Sequence, residues 1–102
     1  MMSNRHRRLL RADFAAALRA EHMPTPSPAG TSKEQLLVER TELTIRLRET
    51  WAALLIAAPN ERDYADAGQL RSAIAVHRRR LDVLRALMDD VKREIKWISE
   101  AG

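Results

Sequence analysis

The chain has no cysteine, so neither disulfides nor thiolate metal sites contribute to it, and its redox compartment stays open. Glycine occurs three times and aromatic residues make up 4% of the sequence, which argues against a turn-rich sheet and removes a stacking platform for nucleic-acid bases. The longest strongly apolar run, from Trp51 to Ala58, is far too short to span a bilayer. Arg5, Arg7, Arg8 and Arg11 are not followed by an apolar stretch of the length a secretory signal needs. The expectation is a protein of the cytoplasm or of an intracellular assembly, with no membrane partner. No HxxxH or HExxH spacing and no phosphate-binding loop occurs, while Asp63 with Asp66 and Asp89 with Asp90 read as a helix start and a solvated face. The expected protein therefore has no metal, no cofactor and no catalytic residue, and is not an enzyme.

What the chain does have is helical pattern. Leu70, Ile74, His77, Leu81, Leu84, Met88, Val91, Ile95 and Ile98 follow one another at alternating steps of four and three residues. Such a stripe repeats every 3.5 residues, the period that keeps one face of a helix against a partner along its whole length. Apolar residues at 45% and charged residues at 31% suit long amphipathic helices, and 102 residues suffice for a modest core without a deep enclosed cavity. The fold class expected is all-α: an antiparallel helical hairpin with one long coiled-coil-like helix, plus a short N-terminal amphipathic helix on a Pro-rich linker.

Three segments can be drawn. Residues 1–20 form a basic helix, with Leu10, Phe14 and Leu18 at four-residue steps. Residues 21–31 form a linker in which Pro24, Pro26 and Pro28 remove backbone donors and favour an extended path. Residues 32–102 form the hairpin, with helices over about 32–58 and 60–99. The first arm should start at Thr31 or Ser32, since Thr31 followed by Glu34 and Ser32 followed by Gln35 both fit a capping box; Pro59 ends it, and Asn60 is the N-cap expected for the second arm, in which Gly68 is a weak point. Leu36, Leu37, Leu43, Leu47, Trp51, Leu54 and Leu55 form the inward face of the first arm, which Arg40 interrupts. The longer second arm should overhang at its C-terminal end, leaving Met88, Val91, Ile95 and Ile98 to be covered by the N-terminal helix or by another chain.

Charge points to the partner. Residues 1–20 carry five arginines against Asp13, so the whole formal charge of +4 sits there, and the remaining residues hold thirteen of each sign. With Ile74, Leu81, Met88 and Ile95 at heptad position a, position e holds Arg71, Arg78, Arg85 and Lys92. A basic edge along the seam disfavours self-association through it and selects a partner subunit with an acidic edge. Trp97, beside the stripe, is a candidate anchor for that partner, and His77 reads as a histidine packed within the seam.

All-helical enzymes such as chorismate mutases also place arginines on long helices, but no motif of that family falls on particular residues here. The alanine-rich and arginine-rich composition is similar to that of small accessory proteins of bacterial and bacteriophage assemblies. The function expected is a non-enzymatic interaction module, an accessory or structural subunit. It would bind a partner through Leu10, Phe14, Leu18, Met88, Val91, Ile95, Trp97 and Ile98, with Arg71, Arg78, Arg85 and Lys92 choosing an acidic edge. The alternative is nonspecific contact with nucleic-acid phosphates through Arg5, Arg7, Arg8 and Arg11. On that alternative, deleting residues 1–20 removes DNA or RNA binding together with its salt dependence, as read by a filter-binding titration at two ionic strengths.

Overall fold

The computed structural model describes residues 22–101. These contain two α-helices in antiparallel contact, α1 (Lys33–Ile56) and α2 (Ala67–Glu100), and no strand. The connection between them includes a 3₁₀ turn, Glu61–Asp63. The basic helix expected over residues 1–20 lies outside the described residues, and with it Leu10, Phe14, Leu18, Arg5, Arg7, Arg8 and Arg11.

Local capping fixes where each helix begins. Ser32 Oγ accepts a hydrogen bond from the Gln35 amide at 3.1 Å, as the spacing of the two predicts. The second helix starts later than expected. Asn60 Oδ1 accepts from the Arg62 amide at 3.2 Å but opens only the 3₁₀ turn, whose successor residues Tyr64 and Asp66 are extended. The N-cap of α2 is Asp66, whose Oδ1 accepts from the Gln69 amide at 2.8 Å while Gln69 Oε1 accepts from the Ala65 amide at 3.0 Å. Two satisfied amides at Asp66 outcompete a continuous helix from residue 60, and Gly68, the weak helix former, falls in the first turn, where it costs little.

The register follows from contacts at the other end of the pair. Lys33 Nζ donates to the Ala101 carbonyl at 2.9 Å, and Arg40 Nε donates to Glu94 Oε1 at 2.8 Å. Seven residues forward along α1 match seven residues back along α2. The start of α1 is therefore flush with the end of α2, and the expected C-terminal overhang does not exist. The extra ten residues of α2, about 15 Å of helix, project at the connector end instead. There the connector folds back, so that Ala57, Pro59 and Tyr64 line a hollow with Ser72, Ala73, Val76, His77 and Arg80. At the flush end the Pro-rich segment lies against the pair rather than leading away from it: Trp97 Nε1 donates to the Pro24 carbonyl at 3.2 Å, and Met23, Pro24 and Pro26 are half-buried.

The stripe of α2 is the inward face. Leu84, Val91 and Ile98 are buried, Ile98 completely, and Leu70, Ile74, His77, Leu81, Met88 and Ile95 are half-buried. The answering face of α1 keeps Leu36, Leu37, Leu47, Trp51 and Leu54 of the expected one and takes in polar positions besides. Lys33, Leu37, Arg40, Thr44, Leu47, Trp51 and Leu54 are the half-buried positions, again at steps of four and three, with Leu36 buried beside them. Leu43 and Leu55 are exposed. Arg40 is thus a member of the seam, not an interruption of it, because Glu94 neutralises it across the pair; Thr44 sits there with its hydroxyl donating to the Arg40 carbonyl at 3.0 Å. Apolar residues spread all round α1 made a leucine-based face look plausible; the contacts chose a more polar one.

Two stability measurements check this core. Ile98→Ala should lower the unfolding free energy by about 2–5 kcal/mol in urea titration, whereas Val38→Ala, at an exposed position, should change it by less than about 0.5 kcal/mol. Glu94→Leu leaves Arg40 half-buried without its cross-helix partner and should cost about 1–3 kcal/mol, while the double change Arg40→Leu with Glu94→Leu should recover most of that loss.

Candidate interaction surface

The seam divides the hairpin into two flanks of different chemistry. On one flank of α2, Arg71, Arg78, Arg85 and Lys92 are all exposed. None of the four forms an ion pair among the described residues. The Arg85 guanidinium lies 5.4 Å above the ring of Trp51, so this side chain covers the half-buried indole while its charge stays in water. Three carboxylates of α1 are engaged elsewhere: Glu39 lies 2.9 Å from Arg40 Nη1, and Arg46 lies 2.9 Å from Glu42 through Nε and 3.2 Å from Glu49 through Nη1, an exposed triad away from the basic flank. The hydrogen bond to Glu49, followed by the charge of Glu42, raises the Arg46 pKa above its ordinary value; the group is cationic throughout the physiological range in any case.

The opposite flank is apolar. Val76, Val83, Leu87 and Trp97 are among the most exposed large apolar side chains of α2, with Val83 at 64%. They belong to a second row, Val76, Arg80, Val83, Leu87, Asp90, Glu94 and Trp97, whose steps again alternate between four and three. Two such rows side by side allow one helix to pack against two neighbours at once. The first row meets α1. Along the middle of the second, Val76, Val83 and Leu87 combine with Thr50 and Leu54 of α1 to form a shallow groove of about 510 Å³, edged by Arg79 and Arg80. Exposed Leu43 continues the Thr50 face of α1 one heptad away.

The residues expected to bind a partner separate accordingly. Val91 and Ile98 are buried within the hairpin, and Met88 and Ile95 are half-buried in the same row, so these four face α1 and are not an exposed docking strip. This corrects the expectation drawn from a C-terminal overhang; the flush register removes it. Trp97 remains at the surface, 46% exposed, with its indole N–H tied to Pro24. The basic edge also remains at the surface. The second row went unnoticed in the sequence because Arg80, Asp90 and Glu94 interrupt its apolar members, although its spacing was there to be counted.

Among the described residues no helix is long and apolar enough to cross a membrane, and no group of three or more His, Asp or Glu side chains is placed to hold a metal ion. No protein-family model, curated protein or solved structure matches the chain.

Proposed function

We propose that this protein is a non-enzymatic helical interaction module, a small accessory or structural subunit of a larger assembly of bacterial or bacteriophage type. The observation that carries this reading is the second row of α2, which presents Val83 and Leu87 to solvent beside a groove built from both helices. Apolar side chains aligned at helix-packing spacing are the ordinary means by which one helix receives another. The basic flank, on the other side of the seam, is a separate second surface: Arg71, Arg78, Arg85 and Lys92 recur every seven residues with no ion pair among the described residues, and they favour an acidic edge there. A flank of this kind speeds encounter and rejects basic surfaces more than it adds affinity, while the buried apolar contacts set the lifetime of the complex.

A second reading rests on the +4 charge of residues 1–20, which suits phosphate contact by Arg5, Arg7, Arg8 and Arg11. It lacks an element that would read base edges, so such contact would be independent of sequence.

Both flanks can be altered without touching the core. Val83→Asp with Leu87→Asp should leave helicity unchanged by circular dichroism and abolish retention of the partner subunit by the tagged full chain. Reversal of Arg71, Arg78 and Lys92 to Glu should slow association and flatten its salt dependence. A complex that survives both sets of changes overturns the interaction-module reading.

A further inference from the structure

The second row of α2 is self-complementary about its middle. Its centre falls at residue 85: Val83 and Leu87 stand two residues to either side, the oppositely charged Arg80 and Asp90 five, and Trp97 stands twelve from it, as does Ala73, one step before the row. A helix with this pattern complements itself when a copy is laid against it in the opposite direction. We infer that two copies of this chain pair through their second rows, with α2 antiparallel to α2, to form a four-helix bundle. The inference deepens the interaction-module reading, on which it rests, by naming the occupant of the groove.

In that arrangement Val83 of each copy meets Leu87 of the other over the groove that Thr50 and Leu54 help to form. Arg80 of each copy meets Asp90 of the other, twice by symmetry, since a two-fold interface repeats every contact. Arg80 forms no ion pair among the described residues, and Asp90 has only Arg93 at 3.4 Å on its own helix. The large indole of Trp97 falls opposite the hollow that Ser72 and Ala73 line with Ala57, Pro59 and Tyr64 of the connector. The pair at nine residues from the centre, Val76 and Glu94, does not match in polarity, but the Glu94 carboxylate is already held by Arg40 at 2.8 Å.

The argument against self-pairing through the first row does not apply here, because the basic edge lies on the other flank, away from the two-fold axis. A second copy brings the Asp90 carboxylate to Arg80, which forms no ion pair among the described residues.

The test is light scattering on the full chain, freed of nucleic acid, over a concentration series at moderate salt. Wild type should run at twice the monomer mass. Arg80→Asp alone and Asp90→Arg alone each place like charges together at both ends of the interface, and each should raise the dimer dissociation constant at least about tenfold. The double variant Arg80→Asp with Asp90→Arg restores opposite charges and should return the constant to within about threefold of wild type. Arg80 is exposed and Asp90 half-buried, and circular dichroism checks that each variant keeps its helices. A wild-type monomer across the series overturns the inference, as does a dimer that the single reversals leave intact or that the double reversal fails to rescue. A monomer that still loses its partner subunit on Val83→Asp with Leu87→Asp overturns the dimer alone and leaves the interaction-module reading standing.

Discussion

The rest of the described structure depends on a single antiparallel register between two helices of unequal length. Lys33 against the Ala101 carbonyl and Arg40 against Glu94 hold that register at the flush end. A shift by one heptad would keep most apolar side chains in contact, because a 3.5-residue repeat is nearly indifferent to sliding. It would also separate Arg40 from Glu94, leaving the half-buried guanidinium only Glu39 of its own helix, 2.9 Å from Nη1, and its Nε unanswered across the pair. Polar residues in a seam commonly serve this purpose: they add little stability and penalise the alternatives. The consequence reaches the far end, where the excess length of α2 projects and the connector folds back on it.

Once the register is set, the two flanks acquire their separate characters. The same 3.5-residue period that buries Leu84, Val91 and Ile98 places Arg71, Arg78, Arg85 and Lys92 on one side and Val76, Val83 and Leu87 on the other. A flank of cations stays hydrated and repels its like, which keeps that face free for an acidic surface. A flank of aliphatic side chains gains by leaving water, by about 25 cal/mol for each Å² covered. One helix thus offers two kinds of contact, and a hairpin with a thin core of its own has reason to use them, since small domains bury too little surface to be strongly stable alone.

The Pro-rich segment shows how position changes the meaning of a composition. Three prolines among small residues remove backbone donors and favour extended chain wherever they occur. Here that extended chain lies beside the seam's end, where a backbone carbonyl at Pro24 accepts the indole N–H of Trp97. A polar atom on a large aromatic ring is satisfied in this way without a second side chain.

Much of the helical architecture was legible in the sequence. The alternating stripe from Leu70 to Ile98 identified the inward face of α2 residue by residue, because a period of 3.5 in apolar side chains has few other physical solutions. Ser32 announced the start of α1 for an equally local reason, the bond it offers to its own third amide. The face of α1 was legible in part: Leu36, Leu37, Leu47, Trp51 and Leu54 turn in as expected, but apolar residues surround the helix and only contact with α2 decides that Arg40 and Thr44 turn inward while Leu43 and Leu55 turn out. The start of α2 was not legible: Asn60 and Asp66 are both good caps by residue type, and at Asp66 the Gln69 and Ala65 amides are both satisfied where Asn60 opens only a 3₁₀ turn. Local hydrogen bonds and periodicity are properties of a segment and can be read from it. Register, overhang and the identity of the exposed row are properties of a pair, and the tertiary structure alone decided them.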